Sequence, residues 1–236
     1  PYRFAWEEGW RADNPAQRIK APRREKSLPG TLSEDAVERL LAAARTHGRT
    51  DADRLRNAAM MELLYATGMR VSELVTLPVS AARGDPRMLL VRGKGGRERL
   101  VPLSPPARAA LAAWLAARDA AEETGRAAGR AASRFLFPST GKAGHLADPK
   151  KAWRRILDRA GIENLRIHDL RRSLGSWQTA TGANLSVVGK TLGHKNVSTT
   201  AIYARLDLDP VREAMNKAAA AMLAAGQVGP TGEVLR

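Results

Sequence analysis

Six side chains in this sequence have the types and spacing to act on a phosphodiester: Arg70, Lys94, His168, Arg171, His194 and Tyr203. Attack on phosphorus builds negative charge on the non-bridging oxygens. The planar guanidinium fork matches that geometry and stays charged at any working pH, so Arg70 and Arg171 would clamp the group. Tyr203 supplies a hydroxyl nucleophile, but a free tyrosine has a pKa of about 10, which leaves about one molecule in a thousand ionised at pH 7. His168 can take the proton, and the two arginines favour the phenolate electrostatically. The departing oxygen must gain a proton, and Lys94, set between Gly93 and Gly95, can deliver it from a flexible turn. General acid catalysis contributes roughly 10² to 10⁴ in rate and each preorganised donor roughly 10² to 10³, so several together can replace a metal ion.

Each of these residues also has an ordinary reading when taken alone. Arg70 is three residues from Glu73 and could form a helix-end ion pair; Lys94 could be a solvated turn; Tyr203 beside Ile202 could pack. Only their joint occurrence argues for chemistry.

The elements that must position them can be read from local signals. Ser33 before Glu34 and Asp35 is a helix N-cap with acidic first-turn residues, and Val37, Leu40, Leu41 and Ala44 supply an apolar stripe. A second helix is expected from about Asp53 to Thr67, ended by Gly68 in the left-handed conformation. Arg70 follows that cap, and Ser72, Glu73 and Leu74 begin a further short helix. Met88 to Val91 and Arg97 to Leu103 flank a glycine-rich turn and predict an antiparallel hairpin with Lys94 near its tip. Pro106 to Ala132 reads as an alanine-rich helix interrupted by Gly125 and Gly129. Trp153, Ile156 and Leu157 mark one face of a helix stopped at Gly161. Further helices are expected from about His168, Leu185 and Thr199 and from Pro210 to Ala225. The i to i+3 spacing of His168 and Arg171 puts both on one helical face. The fold class is therefore mainly α (α+β), with a small antiparallel β-sheet.

Composition bounds the partner and the compartment. The 236 residues carry 39 Lys plus Arg against 24 Asp plus Glu, a formal net charge of +15, which points to a polyanion such as nucleic acid. With no cysteine, the chain has no disulfide, no thiolate-held zinc and no thiol nucleophile, which suits a reducing cytoplasm. No long apolar run indicates a membrane span. The Gly93 to Gly96 stretch lacks the upstream glycine and the following Ser or Thr of a nucleotide-binding loop. No cofactor and no metal are therefore expected.

In this order and spacing the motifs resemble the tyrosine recombinase (phage integrase) family. They are Ala66-Thr67-Gly68-Met69-Arg70-Val71-Ser72-Glu73-Leu74, Gly93-Lys94-Gly95, His168-Asp169-Leu170-Arg171, Leu192-Gly193-His194 and Thr199-Thr200-Ala201-Ile202-Tyr203. The resemblance runs from about Pro29 to Glu213, with a flavour of bacterial prophage or genomic-island integrases. It implies a helical DNA breaking-rejoining catalytic domain in which Arg70, Lys94, His168, Arg171 and His194 serve a Tyr203 nucleophile. It further implies a 3′-phosphotyrosyl intermediate, double-stranded attachment-site DNA as partner, and integration or excision of a mobile element. A homotetramer is implied on DNA, with helix Pro210 to Ala225 docking on a neighbour, and a monomer is expected without DNA.

Residues 1–20 are expected to be the end of a core-binding (SAM-like) domain, 21–30 a basic linker, 31–225 the catalytic domain and 226–236 a tail. The start at Pro1, without an initiator Met, reads as part of a longer protein in the cytoplasm, at the bacterial nucleoid. Surface Lys and Arg in the Lys20 to Lys26 linker and near Arg97 and Arg99 are expected to meet phosphates. Two alternatives stand beside this reading. Leu185 to Leu206 fits a helix-turn-helix DNA reader without chemistry; His168 and Asp169 could be metal ligands of a helical phosphohydrolase.

Overall fold

A computed structural model describes residues 2–17, 32–93, 96–194, 197–200, 215 and 220. Lys94, Tyr203, the linker, the tail and nearly all of the Pro210 to Ala225 segment lie outside the described residues. A short helix α1 (Tyr2–Glu7) precedes α2 (Glu34–Thr46), α3 (Asp51–Thr67), α4 (Val71–Val75) and a 3₁₀ turn (Val79–Ala82). The strands β1 (Met88–Arg92) and β2 (Glu98–Pro102) follow, then α5 (Pro105–Ala127), α6 (Lys150–Ala160), α7 (Ile167–Ala180), α8 (Leu185–Leu192) and α9 (Val197–Thr200). The architecture is mostly helical with a two-stranded antiparallel sheet. No helix among the described residues is long and apolar enough to cross a membrane.

Helix α3 is the centre of the domain because it is apolar around most of its circumference. Ala58 through Met61, Leu63 and Leu64 are all buried, and α2, α5 and α7 pack around them. Full burial of each such Leu or Met contributes about 1.5–3 kcal/mol. The helix starts one turn fragment earlier than Asp53: Thr50 is the N-cap and accepts from the Asp53 amide, while Asp53 returns a bond to the cap, a reciprocal capping box. At the other end Gly68 has φ of +58°, as the sequence requires, and a Cβ there would meet the Leu192 and Leu174 side chains at 2.8 and 3.0 Å.

The hairpin alternates as its pattern dictates. Leu89, Val91 and Val101 point into the core, while Leu90 and Leu100, paired across the strands, face outward. Helix α5 differs from expectation at Gly125, which does not interrupt it. That glycine lies in the last helical turn, and the Arg130 guanidinium packs 3.4 Å from where a Cβ would stand. The helix ends just before Gly129, whose φ is +76°. Helix α6 turns Trp153, Ile156 and Leu157 inward and stops at left-handed Gly161.

Candidate active site

Arg70 is placed by two glycine-adjacent junctions in succession. The left-handed cap at Gly68 ends α3, Met69 is buried, and Arg70 becomes the N-cap of α4. Its backbone N–H donates to Glu73 Oε2 at 2.9 Å and its Nη1 donates to Oε1 at 2.8 Å. The ordinary ion-pair reading is thus present, and it holds Arg70 at the rim of a cleft. Glu73 is buried and is met from the other side by Arg99, which donates Nη2 to Oε2 at 2.8 Å and Nη1 to Oε1 at 3.3 Å. Burial pushes the Glu73 carboxyl up, but the bonds from Arg99 and Arg70 outweigh it and hold it below the usual range.

This corrects the expectation for Arg99. Its side chain is only 15% exposed and its fork engages Glu73, so it is a brace in the cleft wall and not a freely exposed surface arginine. The reason is strand register: Arg99 lies on the inward-facing side of β2 with Val101. Arg97, which is exposed, lines the same cleft.

His168 and Arg171 both come from the start of α7. Arg171 is buried and donates from Nη1 to the Gly68 carbonyl and from Nη2 to the Leu192 carbonyl. These carbonyls end α3 and α8, so one guanidinium joins three helices at the negative ends of two of them. Asp169 closes a capping box with Arg166 and also accepts from Arg172. Burial would raise the Asp169 carboxyl, and the Arg166 bonds hold it low. Its carboxylate is therefore committed to cations. Among the described residues no group of three or more His, Asp or Glu side chains is arranged to hold a metal ion, and His168 and Asp169 meet no third donor there.

His194 follows the left-handed cap Gly193 (φ +62°), and its N–H bonds the Gly189 carbonyl at 2.9 Å. Its Nδ1 is 2.9 Å from Thr200 Oγ1. Burial first, and then Arg171, Arg70 and His168, lower its pKa to about 4. His168 is lowered in the same way, by burial and then by Arg171 and Arg172, with Arg70 adding to the effect. Arg70, His168, Arg171 and His194 thus form one electrostatic unit drawn from three separated stretches of chain. It comprises two fixed cations and two imidazoles that are neutral at pH 7, an arrangement able to bind an anionic oxygen, donate hydrogen bonds and accept a proton.

Beside this unit is a cleft of about 810 Å³ whose basic lining includes Arg70, Arg97, Arg99, Lys190 and His194. Lys94 and Tyr203 lie outside the described residues, but Gly93, the residue before Lys94, lines the cleft, and Thr200 is three residues before Tyr203. Glu73 as a shared brace, Arg99 and the His194–Thr200 bond are what the motif reading missed. Glu73 was legible as a partner of Arg70, but nothing local announces the second arginine.

The phage integrase family model matches residues 30–209 of this sequence. The chain belongs to the phage integrase family. It is similar to the tyrosine recombinase XerD of Caulobacter vibrioides, with 42% identity over 207 residues covering 86% of this chain and 66% of that protein. The tyrosine recombinase XerD of Rhizobium meliloti is 44% identical over 212 residues, covering 86% of this chain and 65% of that protein. This integrase-family chain therefore spans about two thirds of the length of the curated relatives it matches. Among solved structures, the XerH site-specific recombinase bound to palindromic difH substrate in a post-cleavage complex aligns with a TM-score of 0.66 at 25% identity, covering 81% of this chain and 55% of that one. The arrangement of helices and hairpin described above is the tyrosine recombinase catalytic fold.

Proposed function

We propose that this chain is the catalytic part of a site-specific DNA recombinase that cuts and rejoins duplex DNA through Tyr203. The observation that carries the proposal is the convergence of Arg70, His168, Arg171 and His194 beside one basic cleft. In the proposed step the Tyr203 oxygen attacks the scissile phosphorus and its proton passes to His168. The P–O5′ bond breaks, and the leaving 5′ oxygen takes a proton from Lys94. Arg70, Arg171 and His194 hold the charge that develops on the non-bridging oxygens. The product is a 3′-phosphotyrosine, and the 5′ hydroxyl of a second strand reverses the step to join it. Residues 31–225 are the proposed catalytic domain and residues 1–20 the end of a core-binding domain, with subunits assembling as a tetramer on DNA in the cytoplasm.

The motifs alone pointed to the attachment sites of a mobile element. Likeness to XerD proteins and to XerH on difH DNA favours instead a Xer-type exchange at a short dif-like site. The helix-turn-helix alternative uses α8 and α9 but offers no role for Arg70, His168 and Arg171 beside them.

The deciding assay uses nicked suicide duplexes carrying a dif-like site or an element's attachment site, in EDTA, with wild type and Tyr203→Phe. The expected result is an SDS-resistant protein–DNA adduct with wild type on the dif-like duplex and none with the Phe variant. DNA binding without an adduct, even after the preceding module of the relatives is restored, would favour the DNA-reader alternative.

A further inference from the structure

A carboxylate stands beside Arg70, one of the two arginines that would clamp the phosphate. The Glu73 side chain is 4% exposed, and it accepts from both the Arg70 backbone N–H and the Arg70 guanidinium. Water screens a buried charge poorly, so an Arg70–Glu73 pair by itself would offer the cleft no net charge. A phosphodiester that gains negative charge during attack needs a net cation there. Arg99 changes the balance. It reaches Glu73 from the hairpin and meets both carboxylate oxygens, Nη2 to Oε2 at 2.8 Å and Nη1 to Oε1 at 3.3 Å, so that two cations share one anion. Burial pushes the Glu73 carboxyl up, and the Arg99 bond leads those that keep it ionised. The fork is held in place from behind: Arg99 Cδ lies 3.3 Å from where a Cβ on Gly193 would stand, so the stem rests on backbone.

We propose that Arg99 is a positioning residue for strand cleavage: it offsets the charge of Glu73, so that Glu73 can orient Arg70 without cancelling the positive charge that Arg70 brings to the scissile phosphate. The proposal rests on the recombinase reading and deepens it. Arg99 acts through Glu73 and Arg70 and does not itself bind the DNA. A single ammonium at this position supplies the same charge, whereas a neutral side chain does not, even one that still donates a hydrogen bond to Glu73.

The test varies the charge on both partners. Arg99→Met keeps an unbranched stem against Gly193, Arg99→Gln keeps a donor for Glu73, and Arg99→Lys keeps a charge; near-ultraviolet circular dichroism first shows which variants are folded. Release of the 5′-hydroxyl fragment is followed in single turnover at saturating DNA, on a suicide duplex with an ordinary scissile phosphate and on one with a methylphosphonate there, in which a methyl group replaces a charged oxygen. On the ordinary duplex Arg99→Met and Arg99→Gln should be about tenfold slower than wild type, and Arg99→Lys within about threefold. On the methylphosphonate, which has less charge for Arg70 to meet, the deficit should shrink to about twofold or less. DNA affinity and its salt slope should not change. Equal slowing on both duplexes would make Arg99 a brace of the fold alone, and a salt slope lower by about 1 would make it a DNA contact; either overturns the proposal. An unchanged rate on the ordinary duplex overturns it too. If wild type releases no fragment from the ordinary duplex, the recombinase reading itself fails, and the proposal with it.

Discussion

His168 and His194 owe their neutral state to burial first and then to the arginines around them, and stability against pH depends on it. A histidine in the unfolded chain titrates near pH ~6.5, whereas His194 in the fold is lowered to about 4. Between these values the unfolded state binds the extra proton, so the contribution of neutral His194 is fully present above pH ~6.5 and is lost as pH falls toward 4. Urea midpoints of wild type and His194→Gln at a series of pH values test this: wild type should lose stability more steeply over that window. Glu73 and Asp169 are held below their ordinary ranges by arginines, and they act alike in both proteins.

The helix ends, more than the helices, place the catalytic candidates. Gly68 ends α3 where Arg171 takes its carbonyl, and Gly193 ends α8 where Arg99 packs 3.3 Å from the missing Cβ. An alanine at position 68 would force a left-handed backbone on a residue with a Cβ and press it on Leu192 and Leu174. The expected cost is about 1–3 kcal/mol, read as a lower urea midpoint with an unchanged denaturant slope. The caps were legible in the sequence because glycine at positive φ is a local requirement. The continuity of α5 through Gly125 was not, because one glycine costs only about 1 kcal/mol and Arg130, outside the helix, covers it.

At the scale of the whole molecule, a net charge of +15 makes the proposed binding to DNA strongly dependent on salt. With roughly six to ten phosphates contacted, affinity should fall by about 10³ to 10⁵ between 50 and 200 mM salt. Arg97→Ala should reduce the slope of log affinity against log salt by about 1, while Arg99→Ala should lower the unfolding midpoint instead, because it removes the brace on Glu73. Filter binding across salt, paired with urea unfolding, separates the two residues. Their difference also marks what each level of structure decided. The sequence by itself determined the chemistry on offer, the order of the motifs, the caps, the hairpin and the family, since these depend on residue type and short spacing. Only the tertiary structure decided that Arg171 reaches Gly68 across 103 residues and Leu192 across 21, that Arg99 turns inward to Glu73, and that Thr200 meets His194. Those contacts are chosen by which helices the apolar core draws together, and no local pattern encodes that choice.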